Sequence, residues 1–516
     1  MHTNSRSCPR SVAVAVSMSL LGLTFSMSPA MSRQSAESSG SVLVPGSNVI
    51  FIAVDDADLS LMQYLPKTQA LIADRGVTFT QYFDSLALCC PARTTYLRGQ
   101  YSHNTGIWDN KWPAGGFGKF HLEGEQSTLA TWLSANGYLT ALMGKYLNEY
   151  PDVPESPEHG VEHTYVPAGW SEWVSPVEGR GASEFNYKLN INGVVDQEFR
   201  TRADPANYLV DTLSRMASRY VLDHSSDPYF LYVTPAAPHD PFVPAPRDRR
   251  DFVGLTYPQL PSFNEQDVSD KPSWIARRQR LTSTMIEQID HDYRLRAQDM
   301  EAIDDLVQSI YDAVEASGQS ERTYLIFTSD NGWHMGEHRL ARGKETPYEE
   351  DVHLPLWISG PGIEAGTTVD EVVGDIDLAP TIAELTDTTT PDFVDGRSVL
   401  PLLQGEPTDW RRYLLLERAS SSGGEIRAAR GDVGTAGVRN SPGYAGLHSN
   451  RFVYVAYDNT DRTREFYDLA VDPYELTNLL GPGSPGLTAL QRAALDDMVK
   501  VVATERTCAV NRVPCS

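Results

Sequence analysis

The chain has little positive charge and few long apolar segments. Its 43 Lys and Arg residues stand against 68 Asp and Glu residues, giving a formal net charge of −25. This charge argues against nucleic acid as a partner, because binding a phosphate backbone requires a basic surface. The negative net charge does not exclude a small anionic substrate, because a protein with an acidic surface can still contain a local basic pocket. Beyond residue 25 no apolar run is long enough to cross a bilayer, so we expect no stable membrane span.

Cysteine is also scarce, with five residues in 516. Cys8 lies in a segment with two arginines, an apolar stretch over residues 12–25 and small residues up to 32. That order predicts a signal peptide over 1–32 and a disordered lead-in over 33–47, in a secreted, periplasmic or extracellular protein; an uncleaved anchor is the alternative. We expect a local disulfide between Cys508 and Cys515 in an oxidising compartment. Cys89 and Cys90 are left without distant partners, although a strained disulfide between them is possible.

The order of apolar runs and helical segments predicts an α/β fold. Strands are predicted at residues 48–54, 138–143, 229–234, 323–328 and 354–358, and helices at 66–73, 128–136, 206–222 and 282–317. Their alternation predicts a large mixed, mostly parallel sheet with helices on both faces. Residues 185–195 alternate around Asn192-Gly193, which predicts a hairpin.

Beyond about residue 396 the pattern changes to short strands, predicted at 413–417, 452–457 and 465–469, with a helix at 487–503. We therefore predict a main domain over 48–396 and a smaller antiparallel α+β subdomain over 397–516. The Ser- and Gly-rich residues 420–446 are predicted to form a long mobile loop.

Acidic residues directly follow two of the predicted strands. Asp55 and Asp56 come after the first strand, and Asp330 and Asn331 follow the strand at 323–328. Taken alone, each group is more typical of a solvated loop or a turn. Because ligands bind at the carboxyl ends of strands in open α/β sheets, both groups are expected at one edge. Three carboxylates and an amide oxygen suit Ca²⁺ or Mg²⁺ better than Zn²⁺.

Basic groups occur at similar places. Lys145 follows the strand at 138–143, His239 follows the strand at 229–234, and Lys344 lies soon after the Asp330 turn. Each alone is typical of an exposed lysine or a loop histidine. Together they predict a local positive pocket at the same edge of the sheet.

The run at residues 88–99, LCCPARTTYLRG, has a cysteine two residues before a proline and four before an arginine. Pro91 suits the first turn of a helix, where free N–H groups favour an anion, and Arg93 lies one turn on from Cys89. This run resembles the signature of the type I sulfatases, formylglycine-dependent enzymes of the alkaline phosphatase superfamily. The resemblance implies that Cys89 is oxidised to formylglycine and that Cys90 fills a variable position.

The resemblance extends from about residue 48 to 479. Within the family the chain is most similar to the N-acetylglucosamine-6-sulfatase branch, on the segments at 144–150, 166–170 and 186–193. It implies that residues 48–396 form the catalytic domain. The expected activity is release of sulfate from a sulfated carbohydrate or an aryl sulfate, after maturation by a formylglycine-generating enzyme.

The family's residues map onto this chain position by position. The resemblance implies that one Ca²⁺, or Mg²⁺, is held by Asp55, Asp56, Asp330, Asn331 and the modified Cys89. It further implies that Arg93 steadies the formylglycine hydrate and that Lys145, His239 and Lys344 hold the sulfate oxygens. In the implied reaction one hydroxyl of the hydrate attacks sulfur, and the alcohol leaves with a proton from His239 or Lys344. The second hydroxyl then loses its proton, the aldehyde forms again and sulfate is expelled.

Some positions depart from the family pattern. Ala92 replaces the usual serine, Arg98 and Gln100 follow the signature in place of its usual residues, and Leu147 stands where many arylsulfatases have a histidine. His103 and His334 are candidates for a substitute base. Two other functions stay open, a phosphonate or phosphate monoester hydrolase of the same superfamily and a non-catalytic carbohydrate-binding protein.

Overall fold

The computed structural model describes residues 46–154, 156–177, 183–196, 201–406, 408–420, 442–458 and 462–508. All of them belong to the unit Ser41–Ser516, and none lies in Met1–Gly40. The strands in chain order are β1 (Asn48–Val54), β2 (Val77–Phe79), β3 (Tyr82–Phe83), β4 (Leu139–Gly144), β5 (Glu172–Val177), β6 (Lys188–Ile191), β7 (Val194–Val195), β8 (Tyr229–Thr234), β9 (Thr323–Ser329), β10 (Leu356–Ser359), β11 (Thr367–Val369), β12 (Val373–Gly374), β13 (Leu414–Arg418), β14 (Tyr444–His448), β15 (Phe452–Tyr457) and β16 (Arg464–Asp468).

Ten of these strands form one sheet in the order β11-β2-β10-β9-β1-β8-β4-β5-β6-β7. The five central strands, from β9 to β5, are all parallel, and antiparallel pairs occur toward both sides. The predicted mixed, mostly parallel sheet is therefore confirmed. Parallel central strands place their carboxyl ends at one edge, which is where the candidate site lies.

Helices surround the sheet. The α-helices are α1 (Pro66–Thr68), α2 (Cys89–Arg98), α3 (Ser102–Thr105), α4 (Gly116–Glu123), α5 (Leu129–Ala135), α6 (Leu209–Asp223), α7 (Ser273–Ala276), α8 (Ser283–Ala316), α9 (Glu349–Val352), α10 (Leu378–Leu385), α11 (Leu400–Leu403) and α12 (Ala489–Glu505). A π-helical turn (Gln69–Ala73) extends α1, and 3-10 turns occur at Leu59–Tyr64, Pro157–His159, Pro205–Asn207, Ser320–Arg322 and Asp375–Asp377.

The side chains of β1 explain why both faces of the sheet are covered. All seven residues of β1 are buried. Ile50 and Ile52 pack into a core shared with α6 and α8, whereas Phe51 and Ala53 pack into a core shared with α2, α5 and α10. Since successive side chains of a strand point to opposite faces, an uninterrupted apolar strand needs a core on each side.

A small antiparallel sheet, β13-β14-β15-β16, follows the main sheet in the chain. It shares a third hydrophobic core with α12 and with residues of the main domain such as Phe83 and Tyr348. This sheet confirms the predicted antiparallel C-terminal substructure. The boundary between 396 and 397 stays a prediction, because one core spans it.

Parts of the sequence prediction were wrong. The loop predicted over 420–446 ends too late, since Tyr444, Ala445 and Gly446 pair with β13 and β15 as part of β14. Strand β5 was not predicted, because its segment lacks a clear period-2 pattern and its residues pair with residues of β4 that lie 31 positions earlier in the chain. Residues 421–441 lie outside the described residues, as do the predicted signal peptide at 1–32 and most of the lead-in.

The cysteines fall into two groups. Cys89 and Cys90 are free thiols, so the alternative of a disulfide between them is wrong. Cys508 is disulfide-bonded, but Cys515 lies outside the described residues, and the pairing of the two stays a prediction. Among the helices of the described residues, none has both the length and the apolarity needed to cross a membrane.

Candidate active site

The carboxyl ends of the central strands carry the residues predicted to form the site. Asp55 directly follows β1, Lys145 directly follows β4, and Asp330 directly follows β9. His239 lies five residues beyond β8. The nine predicted site residues are all at most 8% exposed: Asp55, Asp56, Cys89, Arg93, Lys145, His239, Asp330, Asn331 and Lys344.

The Asp55 carboxylate accepts hydrogen bonds from two cationic side chains. Its Oδ2 lies 2.5 Å from Lys145 Nζ and 3.1 Å from Arg93 Nη2. Burial by itself raises the pKa of Asp55, but Lys145, His239 and Arg93 outweigh burial, and the pKa is lowered. Asp55 is therefore ionised at neutral pH, as a carboxylate ligand of a cation has to be.

Asp56 uses one carboxylate oxygen much more than the other. Its Oδ1 accepts hydrogen bonds from Asn331 Nδ2 at 2.6 Å and from Lys344 Nζ at 2.5 Å. Its Oδ2 is buried and accepts no hydrogen bond, although His239 Nε2 lies 3.7 Å away. Since buried polar atoms are nearly always hydrogen-bonded, Asp56 Oδ2 is a candidate metal ligand.

Cys89 is the first residue of α2, where it faces charged groups. Its Sγ lies 2.7 Å from Lys344 Nζ and 3.5 Å from Asp55 Oδ1. A residue distant in sequence caps the start of α2, since Asn110 Oδ1 accepts a hydrogen bond from the Cys90 N–H at 2.8 Å. Burial and the Asp55 carboxylate raise the pKa of the Cys89 thiol well above its usual value. The unmodified thiol is therefore protonated at neutral pH and is a poor nucleophile.

Arg93 joins the ends of four strands, β9, β1, β4 and β8. Its Nε donates to Asp330 Oδ2 at 2.8 Å, its Nη2 donates to Asp55, and its Nη1 donates to the Lys145 carbonyl at 2.9 Å and to Thr234 Oγ1. Burial alone lowers the pKa of Arg93. The carboxylates of Asp330 and Asp55 outweigh burial and raise this pKa above its usual value, so the guanidinium stays charged. The α2 helix is thereby fixed against the edge of the sheet.

Lys344 enters the site from the loop between β9 and α9. Two backbone hydrogen bonds, of 2.8 and 3.0 Å, join His334 to Gly343 and close this loop. Asp351, in α9, accepts hydrogen bonds from the N–H groups of His334 at 3.0 Å and Thr346 at 2.9 Å. The backbone on both sides of Lys344 is therefore held in place, which fixes where its ammonium group can reach.

The site holds a cluster of potential metal ligands, of which the two aspartates supply oxygen donors. One ligand atom from each of Asp55, Asp56, Cys89 and His239 lies within 4.8 Å of the others. The Lys344 ammonium contacts two of these groups, so the cluster already accommodates a positive charge. Carboxylate oxygens are the ligands that Ca²⁺ and Mg²⁺ prefer. The structure adds His239 to the groups near this position, a residue that the sequence assigned to the sulfate.

Asp330 and Asn331 lie beside this cluster but use their polar atoms within the protein. Asp330 Oδ1 accepts the N–H of Asp56 at 3.1 Å, and its Oδ2 is bound to Arg93. Asn331 turns its Nδ2 toward Asp56, so it would need to present its amide oxygen to bind a cation. The roles of both residues as ligands stay predictions.

The two histidines predicted as alternative bases have other partners. His103 Nδ1 lies 2.9 Å from Glu417 Oε1, and its Nε2 lies 3.6 Å from Cys508 Sγ. His334 Nδ1 lies 2.9 Å from Asp351 Oδ1. Each ring is held through its Nδ1 by a carboxylate outside the set around Cys89, which favours His239 as the histidine of the site.

Asn110, Thr234 and Arg296 were not predicted from the sequence. Asn110 caps α2, Thr234 binds Arg93, and Arg296 donates to the Asp56 carbonyl. Arg296 also lies 3.0 Å from Asp58 Oδ2. Arg296 stands at helical spacing between the apolar residues Tyr293 and Met300, and a charged residue on the apolar face of a predicted helix is a signal that could have been used. Asn110 and Thr234 carry no such signal, because their partners lie far away in sequence.

Comparison with known proteins identifies the family. The family model described as Sulfatase matches residues 47–388, well over half of the chain. The chain belongs to the sulfatase family. It is 32% identical over 471 residues to human N-acetylglucosamine-6-sulfatase, covering 85% of this chain and 82% of the human protein. The predicted resemblance to this branch is confirmed, and the protein is a sulfuric ester hydrolase.

Two solved structures have the same fold. One, a complex with its substrate D-glucosamine-2-N,6-O-disulfate, superposes with a TM-score of 0.71 at 20% identity, over 91% of this chain and 99% of that one. The other, a phosphonate monoester hydrolase from Silicibacter pomeroyi, gives a TM-score of 0.65 at 21% identity, over 89% of this chain and 94% of that one. At these identities the likeness concerns the fold alone.

The cap on α2 generates a prediction. Asn110→Ala removes the hydrogen bond to the Cys90 N–H, so we expect a loss of about 1 kcal/mol in the free energy of unfolding. Because the cap positions Cys89, we also expect kcat to fall roughly tenfold or more. Circular dichroism melting and steady-state assays measure the two effects.

Asn136→Ala is the matched control. Asn136 Nδ2 binds Thr386 and Thr388, with no hydrogen bond to a site residue. Its loss should lower stability and leave kcat unchanged. If both variants kept full activity, Asn110 would have no role in positioning Cys89.

Proposed function

We propose that this sulfatase removes sulfate from a sulfated carbohydrate, with 6-sulfated N-acetylglucosamine as the preferred unit. The observation that supports this most is the 32% identity to human N-acetylglucosamine-6-sulfatase over most of both chains. The buried cationic groups around Cys89 agree with it, because a sulfate ester must have the charge of its oxygens offset before a nucleophile approaches sulfur.

The nucleophile in this proposal is a modified Cys89. Its conversion to formylglycine by a formylglycine-generating enzyme would supply a hydrated aldehyde in place of a thiol that burial keeps protonated. A Ca²⁺ or Mg²⁺ ion held by Asp55, Asp56, Asp330 and Asn331 would supply Lewis-acid stabilisation of the ester oxygens. The secreted or periplasmic location belongs to the same proposal and rests on the order of residues at 1–32.

The cationic side chains have distinct parts in this proposal. Arg93 is bound to two carboxylates and to the backbone, so its guanidinium is fixed in place. It holds the two carboxylates in position and offsets their negative charge. Lys145 and Lys344 each have an ammonium group at the site, which can turn toward sulfate oxygens. When the S–O bond to the sugar breaks, the alcohol oxygen takes a proton from His239 or Lys344. The Nδ1 of His239 faces the Asp240 carbonyl, which leaves its Nε2 directed toward Asp56 for this transfer.

Substitution of the two adjacent cysteines tests the nucleophile. Cys89→Ser should lower kcat at least roughly a thousandfold, a barrier increase of about 4 kcal/mol, because a plain hydroxyl cannot expel sulfate by re-forming an aldehyde. Cys90→Ser is the matched control and should have a small effect. Mass spectrometry of the peptide that contains Cys89 measures conversion of the thiol to the aldehyde. Equal loss of activity in both variants would contradict the assignment of Cys89.

Removal of the divalent ion tests the cation. Treatment with EDTA should lower activity, and added Ca²⁺ or Mg²⁺ should restore it, because Asp55 and Asp56 offer oxygen ligands. The unfolding temperature measured in parallel separates loss of a catalytic ion from loss of the fold. Rescue by Zn²⁺ alone would point instead to a phosphatase-like enzyme.

A substrate panel tests the reaction. We expect protein co-expressed with a formylglycine-generating enzyme to release sulfate from N-acetylglucosamine-6-sulfate and from an aryl sulfate faster than phosphate from an aryl phosphate. Preference for an aryl phosphate or a phosphonate monoester would favour the other hydrolase class of the superfamily. Binding of the sulfated sugars without turnover by the modified enzyme would leave only a carbohydrate-binding function.

A further inference from the structure

A second cluster of ligand-type side chains lies apart from the candidate active site. It consists of His338 from the loop between β9 and α9, Glu350 from α9, and Glu475 from the segment after β16. One ring nitrogen of the histidine and one oxygen from each carboxylate lie within 4.8 Å of one another. None of these residues belongs to the set around Cys89.

The atoms of this cluster are buried without hydrogen bonds. His338 is 0% exposed and Glu475 is 1% exposed. His338 Nε2, Glu350 Oε2 and Glu475 Oε1 are each inaccessible and make no hydrogen bond in the described structure. Leaving such groups buried and unpaired destabilises the folded state, most strongly when the group is charged. Three such atoms in one place therefore call for a common partner.

The other polar atom of each side chain is already fixed. His338 Nδ1 lies 2.7 Å from Glu265 Oε2, Ser262 Oγ lies 3.4 Å from Glu350 Oε1, and Glu475 Oε2 accepts the Glu349 N–H at 3.1 Å. Metal-binding histidines usually donate their second ring N–H to a carboxylate, which leaves the first nitrogen as a ligand. Glu265 plays that part for His338.

Lys271 lies beside this cluster but is bound to other groups. Its Nζ lies 3.6 Å from Glu265 Oε1 and donates to the Leu476 carbonyl at 2.8 Å. Glu350 Oε2 and Glu475 Oε1 are therefore left without this lysine as a partner, and a cation between them would offset both carboxylates.

We propose that His338 Nε2, Glu350 and Glu475 bind one divalent transition-metal ion, with Zn²⁺ as the representative ion. An imidazole with two carboxylates suits such an ion, whereas Ca²⁺ and Mg²⁺ prefer oxygen ligands alone. The ion joins the C-terminal segment to the loop that carries Lys344. It is a structural site, separate from the cation of the active site.

Zinc binding to the full-length protein tests the site. After metal removal and refilling with Zn²⁺, we expect elemental analysis to find one tightly held Zn²⁺ per wild-type chain. His338→Gln and Glu475→Gln should each lose it, and added Zn²⁺ should raise the unfolding temperature of the wild type but not of these variants.

Two control variants show where the ion sits. Asp56→Asn removes a carboxylate of the active site, and Glu301→Gln alters the separate acidic cluster with Asp248 and Asp251. Both should keep the ion. Loss of Zn²⁺ in Asp56→Asn alone would place it in the active site and overturn the proposal.

A spectroscopic probe keeps the test decisive if the cluster variants do not fold. Co²⁺ added to the wild type at one equivalent should give visible ligand-field bands, unchanged in Asp56→Asn and Glu301→Gln. Absence of Zn²⁺ binding and of these bands in the wild type, or equal Zn²⁺ content in folded His338→Gln and Glu475→Gln, would overturn the proposal.

Discussion

Three carboxylates and three cationic side chains are buried together at the edge of the central sheet, and the rest of the site depends on their mutual compensation. Arg93 binds both Asp55 and Asp330, whose strands β1 and β9 are neighbours. Lys145 and Lys344 offset the charges of Asp55 and Asp56. Removing one partner of such a buried pair typically costs about 3–5 kcal/mol, because the other charge is left uncompensated. The geometry of the site and the stability of this edge are therefore set by the same contacts.

The main features of this arrangement were predictable from the sequence because they depend on local patterns. An apolar strand that ends in Asp55 and Asp56, and another that ends in Asp330 and Asn331, place acids at one edge of any parallel sheet. The cysteine signature at 88–99, through its resemblance to the type I sulfatases, then supplied the predicted roles of the site residues. Strand ends and short motifs are local, and so they can be read without the fold.

Features that depend on distant pairing were not predictable. Asn110 caps α2, and β14 pairs with β13 across the residues 421–441, but neither contact has a local signal. His103 lies near the cysteine signature in sequence, yet its ring binds Glu417 in β13. The cluster of His338, Glu350 and Glu475 is likewise assembled from three separate segments. Nearness in sequence was a poor guide wherever a loop turned a side chain toward another part of the chain.

The charge balance also bears on how an anionic ester can be held. With Lys344 bound to Asp56, and with Lys145 and Arg93 bound to Asp55, each cationic group among these site residues has a carboxylate partner. Lys344, Lys145 and Arg93 therefore offer a sulfate ester no positive charge that a carboxylate does not already offset. Lys344 can turn to the ester only when another cation takes over the charge of Asp56, whose Oδ2 still accepts no hydrogen bond. In the proposed mechanism, substrate binding and occupancy by a divalent ion are therefore parts of one electrostatic requirement.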